Sequence, residues 1–375
     1  MKVRLYPTTL CGSVTPPPSK SLLHRELIAQ ALAGVNEPCS GDATDVAATA
    51  RALRQLQEEE RPLIDCGDSG ATLRFLLPLA MARGQVGTVF TGTERLLARP
   101  IPDLSGWERC AGGIRVTQCL QSGSYAISGS ETSQIVSGLL MALPLCEGAS
   151  RISLLAPLVS RPYVDMTLAV LRRHGITITE TPAYWDIPGG QRYRPAYVQQ
   201  EADWSAAAWF YVLNELGCAI QVQGLRHDSL QGDRCIAALC RALPETVDVS
   251  ATPDLLPPLA LLAALQPGRV TRFVGAAFLR GKESDRLQST AQVLRALGGC
   301  VQEEEDGLRI TGVPQLVGGQ VDSWHDHRIA MLCACAAVRC RVPVELCGAA
   351  CVKKSYPRFW EDYVNLGGKM EVIAP

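Results

Sequence analysis

The chain has 375 residues, 47% of them apolar, and its 36 lysines and arginines nearly balance 37 acids to leave a formal net charge of −1. That length exceeds one ordinary core and predicts two domains. The balance of charge excludes a general nucleic-acid surface or a polybasic membrane patch, so any positive potential must be local.

Apolar stretches such as "IAMLCACAAV" are too short to span a bilayer, and the first twenty residues lack the apolar core of a signal peptide. A cytosolic protein is expected. The fifteen cysteines are scattered without paired C-x-x-C spacing, as reduced core thiols would be. Cys333, Cys335, Cys340, Cys347 and Cys351 lie near His325 and His327 but lack zinc-type spacing.

Along the chain, "PSKSLLHRELIAQALAG" predicts a helix opening at Ser19 to Ser21, with Lys20 in its first turn and Arg25 a turn further on. "GDSGATLRFLLPLA" enters its helix through Gly67 to Gly70, a passage that lets a ligand approach the backbone. "ETSQIVSGLLMALP" offers Thr132 and Ser133 as helix caps, and "VSRPYVDMTLAVL" offers Ser160 followed by Pro162. Pro16 to Pro18 and the Pro- and Gly-rich "IPGGQRYRPAY" before "EADWSAAAWF" are the expected crossings between domains.

A second pattern repeats at roughly sixty residues: a helix-like segment that meets a glycine or turn and then enters a strand. It reads as "VAATARALRQL", "GWERCAGGIRV", "VLRRHGITI", "CIAALCRALPETV", "QVLRALGGCV" and "FWEDYVNLGGKMEV". Six such α/β units suggest two domains of three.

The densest charge run is "LRGKESDRL", with Arg280, Lys282, Glu283, Asp285 and Arg286 leading into a helix that stops at Gly298-Gly299. A helix N-terminus favours Glu283 and Asp285 but gains nothing from Lys282 and Arg286. An external anion held by free backbone N–H groups and these cations accounts for both signs. Lys20, Arg99, Lys282, Arg286, Arg328 and Lys354 all fall at predicted element junctions. Several anion sites of this kind suit small ligands with more than one phosphate or carboxylate.

Nine motifs in order, "PSKSLLHR", "GDSGATLRF", "ERLLARPIPDL", "ETSQIVSGLLMALP", "LVSRPYVDMTL", "TPDLLPPLALLAAL", "LRGKESDRL", "DHRIAM" and "CVKKSYPRFW", make the chain resemble the EPSP synthase (3-phosphoshikimate 1-carboxyvinyltransferase) family over nearly its whole length. The resemblance implies a two-domain inside-out α/β barrel of the enolpyruvyl transferase type, with six βαβαββ repeats, three per domain. It places 1–18 with 203–375 in one domain, carrying Asp254, Lys282, Glu283, Arg328 and Lys354, and 19–202 in an inserted one. It implies transfer of the enolpyruvyl group of phosphoenolpyruvate to the 5-hydroxyl of shikimate 3-phosphate, a monomer, and no metal or organic cofactor.

The resemblance also implies residue roles. Thr132, Ser133 and Ser160 would hold the shikimate phosphate. Lys20, Ser21, Arg25, Gln134 and Lys282 would meet the shikimate ring and carboxylate, with Tyr163 nearby. Phosphoenolpyruvate would meet Lys20, Gly70, Arg99, Gln134, Arg286, Arg328 and Lys354. Asp254 would accept the hydroxyl proton while Glu283 protonates the methylene carbon, with Lys20 as the third catalytic residue. Since cations alone would lower the proton affinity of Glu283, it is expected to become competent when bound anions reverse the local field on domain closure.

The chain departs from the family pattern at Pro18 (usually Gly), Asp68 (often Asn), Ala71 (often Thr) and Thr132 (usually Ser). Phe278 replaces an Asn that contacts shikimate in some members, so that contact is not carried over. The related transferase acting on a UDP-sugar has Asn after its first Lys and a reactive Cys in "TGTERLLARPIPDL"; here Ser21 follows Lys20 and that loop has no Cys. A non-catalytic sensor of phosphorylated metabolites would use the same anion sites but would not need both Asp254 and Glu283.

Overall fold

The computed structural model describes residues 1–35, 41–101 and 103–373, so Cys39 and Pro102, the latter within "ERLLARPIPDL", lie outside the described residues. The chain divides into two compact units, Ser19–Gln200 and Met1–Pro18 with Glu201–Pro375. The two passages between units run side by side: Pro18 bridges Ala202, and the Asp203 N–H donates to the Pro17 carbonyl at 2.9 Å.

The inserted unit contains α1 (Lys20–Leu32), α2 (Thr44–Glu58), α3 (Gly70–Ala82), α4 (Glu94–Ala98), α5 (Ser133–Ala142) and α6 (Arg161–Arg173). In one of its sheets, Leu63–Asp65 lies parallel to Val89–Thr91, which pairs antiparallel with Gly113–Val116, itself antiparallel to Trp107–Cys110. The other sheet has the same pattern, with Ser124–Ile127, Ser150–Leu154, Tyr184–Ile187 and Thr179–Glu180 in that spatial order. α3 and α5 are the crossovers between the two parallel strands of each sheet.

These crossover helices are apolar on every side, and such helices must be enclosed. Leu76, Leu77, Leu79, Val136, Leu139 and Leu140 are fully buried, while Leu63–Asp65 and Tyr184–Ile187 alternate between buried and more exposed residues as a half-solvated sheet requires. The sheets therefore sit outside their own helices. Gly138 lets α5 approach α3 closely, because a Cβ there would lie 2.2 Å from the Arg74 carbonyl oxygen.

The second unit repeats this logic with α7 (Trp204–Glu215), α8 (Ile236–Arg241), α9 (Leu256–Ala264), α10 (Arg286–Ala296), α11 (His327–Ala337) and α12 (Phe359–Asn365). α9 and α11 are the buried crossovers of two further sheets of the same pattern. One of those sheets is completed by Lys2–Tyr6, which pairs antiparallel with both Val344–Cys347 and Lys369–Ile373. Cys11–Val14 pairs parallel with Ala219–Val222 in a two-stranded sheet after α7.

The mixed α/β class expected from the sequence is the one observed. "GWERCAGGIRV" is a correction. It is a β-hairpin, Trp107–Cys110 with Gly113–Val116, instead of a helix followed by a strand. Gly112 turns the chain at φ 78°, and only four residues separate Trp107 from that turn, too few for a helical stripe.

No helix among the described residues is long and apolar enough to cross a membrane. The described cysteines are free thiols, most of them at least partly buried, and burial pushes Cys66, Cys240 and Cys340 up to about 12. Such thiols are poor nucleophiles. No group of three or more His, Cys, Asp or Glu among the described residues is placed to hold a metal ion, the cysteines around α11 included.

Candidate active site

In the inserted unit the predicted site residues stand at helix starts and ends. Lys20 opens α1 and its Nζ lies 2.9 Å from the Asp45 carboxylate at the start of α2. Ser21 follows it, and its carbonyl accepts from Arg25 Nη1 at 2.5 Å. A chain of buried hydroxyls then links three helices: His24 to Thr49 at 2.8 Å, Thr49 to Thr72 at 2.7 Å, and Thr72 to Ser69 at 2.8 Å. Ser69 caps α3, so the same network holds the Gly67 to Gly70 passage against α1.

Gly70 is required by its neighbours. A Cβ there would lie 2.6 Å from Arg74 Nη1 and 3.4 Å from Gln134 Oε1. Arg74, which the sequence reading did not single out, donates to Gln134 Oε1 at 2.7 Å and to the Pro100 carbonyl at 2.8 Å. With its oxygen engaged by Arg74, Gln134 has its amide N–H₂ to offer as a donor. Arg99 follows α4 and its Nη2 is 3.3 Å from Asp68.

Thr132 caps α5 by accepting from the Gln134 N–H at 3.3 Å, with Ser133 next in the first turn. Ser160 precedes α6 in the left-handed region at φ 56°, ψ 40°, and its side chain does not cap the helix. A non-glycine residue held there carries strain on the order of 1–2 kcal/mol, the kind kept at functional positions.

Arg25 is placed differently from its neighbours. It is 2% exposed and donates to Thr167 Oγ1, the Ser21 carbonyl and the Tyr163 carbonyl while lying 5.1 Å from the Phe75 ring centre. Burial lowers its guanidinium to about 10. These ties make Arg25 a strut between α1 and α6, and a ligand carboxylate would compete with them.

The second unit builds its cluster around Arg286, the first residue of α10 and 2% exposed. Its Nε donates to Asp326 at 3.0 Å, its Nη1 to Asp254 at 2.9 Å and its Nη2 to Glu283 at 2.7 Å. Burial opposes the charge, but Asp326, Glu283 and Asp254 outweigh it and hold the Arg286 proton more tightly than water would. Asp254 stands in the 3-10 turn Pro253–Leu255 and also accepts from Arg328 Nη2 at 2.6 Å. Glu283 also faces Lys354 Nζ at 3.5 Å.

The charges of "LRGKESDRL" thus divide by task. Asp285 caps α10 by accepting from the Gln288 N–H at 3.0 Å. Arg280 is outside the cluster, tied to Asp285, to Glu303 at 2.6 Å and to the Glu304 carbonyl at 2.9 Å. Lys282 lies 5.1 Å from the Phe278 ring centre, a cation–π contact that exists because Phe278 stands there.

Asp326 is the residue that sequence reading missed in this unit. It caps α11 through the Arg328 N–H at 2.9 Å and accepts from Ser284 Oγ at 3.1 Å. Its one sequence signal is its place before the helix-opening His327 and Arg328. Trp324 and His325, immediately before it, both have positive φ, 46° and 58°, so the strained backbone again marks a site loop.

Solved structures share this fold. An EPSP synthase from Acinetobacter baumannii matches with TM-score 0.76 at 24% identity over 100% of both chains. The enolpyruvyl transferase NikO from Streptomyces tendae matches with TM-score 0.76 at 19% identity over 100% of this chain and 99% of that one. The architecture is therefore that of the enolpyruvyl transferases.

The family model described as EPSP synthase (3-phosphoshikimate 1-carboxyvinyltransferase) matches residues 6–244 and 241–363. Proteins named 3-phosphoshikimate 1-carboxyvinyltransferase from Clostridium kluyveri and Clostridium acetobutylicum are 38% and 36% identical, covering 98% of this chain and 98% and 97% of their own. The chain belongs to the EPSP synthase family.

Proposed function

We propose that the protein transfers the enolpyruvyl group of phosphoenolpyruvate to the 5-hydroxyl of shikimate 3-phosphate, releasing inorganic phosphate, as a step toward aromatic biosynthesis. The observation that carries this is the pair of carboxylates, Asp254 and Glu283, held by one buried Arg286 beside Arg328 and Lys354. Two carboxylates in one polar cluster can divide the work of proton acceptor and proton donor.

In this reading Glu283 gives a proton to the methylene carbon of phosphoenolpyruvate and Asp254 takes the proton of the attacking hydroxyl. A carbon–oxygen bond forms at the adjacent carbon, giving a tetrahedral adduct. The methyl carbon then returns its proton to Glu283, the bond to the phosphate oxygen breaks, and phosphate leaves with the proton that Asp254 had taken. Arg286, Arg328 and Lys354 favour the anionic ligand. Engagement of Arg286 and Lys354 by its charges relieves their hold on Glu283 and so lets it act as an acid.

In the inserted unit Thr132, Ser133 and Ser160 are the proposed phosphate donors, Lys20, Ser21 and Gln134 the donors to ring hydroxyls and carboxylates, and Gly70 and Arg99 the contacts for phosphoenolpyruvate. Lys282 is a further proposed shikimate contact. Arg25 is a further proposed contact for the shikimate carboxylate and also orients α1. Cytoplasmic location and a monomeric state complete the proposal.

Purified protein incubated with phosphoenolpyruvate should release phosphate when shikimate 3-phosphate is added, and should not when UDP-N-acetylglucosamine replaces it. The reverse result, or no release with either, would overturn the reading.

The departure at Asp68 gives a sharper prediction. Because Asp68 shares Arg99 with any ligand anion, Asp68→Asn should lower the KM for phosphoenolpyruvate about 2–5-fold, the value of a half-exposed ion pair, with kcat unchanged. Steady-state kinetics over a range of phosphoenolpyruvate concentrations checks it.

A further inference from the structure

Asp233 lies in the 3-10 turn Gly232–Cys235, in the unit that holds Asp254 and Arg328, and is 2% exposed. Its Oδ2 accepts from Ser205 Oγ at 2.5 Å, while its Oδ1 is shut off from solvent with no hydrogen-bond partner. A carboxylate ion presents about four acceptor sites, and leaving most of them unmet in a buried place is costly. A neutral carboxyl tolerates the same surroundings far better.

The charged groups acting on Asp233 come from three directions. Asp203 precedes α7, Asp254 sits in its own 3-10 turn, and Arg328 is in the first turn of α11. Cys235, in the same turn as Asp233, is pushed up to about 11, first by burial and then by Asp233 itself. Burial first, and Asp254 next, push Asp233 up to about 7, against the opposing Ser205 hydrogen bond and Arg328.

We propose that Asp233 is a positioning residue that carries a proton in the resting protein, and that its ionisation weakens the hold of Arg328 on an anionic substrate. The proposal rests on the enolpyruvyl-transfer reading. With Asp233 neutral, one buried anion fewer draws on the charge of Arg328, which Asp254 shares with the ligand. Once Asp233 ionises, a second buried anion draws on Arg328 and repels the incoming phosphate and carboxylate. The proton goes to solvent and no bond to substrate is made. The resulting limb in the pH profile belongs to the Asp233 and Asp254 pair jointly.

The sign for stability follows from the same shift. The folded state binds this proton more tightly than the unfolded chain, whose carboxyl sits at about 3.9. The favourable contribution is complete below that value and is lost as pH rises through about 7.

The test compares wild type with Asp233→Asn and Ser205→Ala, using the ligand-free protein for melting and both substrates for kinetics. Asp233→Asn should melt higher than wild type by about 4 °C or more at pH 8, with a clearly smaller gap at pH 5. Its kcat/KM for phosphoenolpyruvate should lose the fall that wild type shows above pH 7, with turnover at pH 6 within about tenfold. Ser205→Ala, which removes the donor to the anion, should move that fall to higher pH. A melting gap equal at both pH values, or pH profiles of all three proteins that superimpose, would overturn the proposal. If wild type releases no phosphate the enolpyruvyl reading fails, and the melting curves still decide whether Asp233 carries the proton.

Discussion

Arg286→Met is expected to destabilise the protein by about 3–5 kcal/mol and to abolish measurable turnover. Arg286 is 2% exposed and neutralises Asp254, Glu283 and Asp326, which are 20%, 13% and 0% exposed at their side chains. Methionine fills much of the volume, so the loss is electrostatic: three carboxylates remain with fewer cations, and Asp326 loses two of its donors. Carboxylates left facing one another take up protons more readily, so the folded variant binds protons more tightly than its unfolded chain. The deficit should therefore shrink as pH falls from 8 toward 5. Chemical denaturation at both pH values checks this, and an equal deficit at each would show that packing, not charge, sets the cost.

Asp254→Asn and Glu283→Gln are each expected to lower kcat by about 10²–10⁴-fold, the range for a lost general acid or base. Both substitutions keep the shape of the side chain and an oxygen that can accept from Arg286. Ligand affinity should accordingly stay within about tenfold of wild type, a split between binding and turnover that a metabolite sensor has no means of producing. Calorimetric titration of shikimate 3-phosphate beside single-turnover phosphate release separates the two. A parallel loss of affinity and turnover would place these carboxylates in binding alone.

Much of the site was legible from residues within one helical turn of each other. Lys20, Thr132, Ser160, Arg286 and Arg328 were recognisable as belonging to helix starts because caps and first turns obey rules of three or four positions, and each stands within the first turn or at the cap position. Arg25 was legible as a residue of α1 but not as a strut, since its partners Thr167 and the Tyr163 carbonyl lie on α6, more than 130 positions away. Arg74 was hidden for a similar reason, sixty positions from Gln134 in a run that reads as apolar helix.

The amino-acid sequence alone determined the α/β class, the helix starts and the family, because hydrophobic period, capping chemistry and ordered motifs are carried by neighbours along the chain. It also misread Trp107–Val116, where four residues before a glycine turn carry too little pattern to separate helix from strand. Only the tertiary structure decided which charges share a neighbourhood: Arg286 with Asp326 across forty positions, Arg280 with Glu303 across 23, and Asp233 within the field of Asp254. The physical reason is that ion pairing and burial depend on which segments the packed sheets and helices bring together in three dimensions.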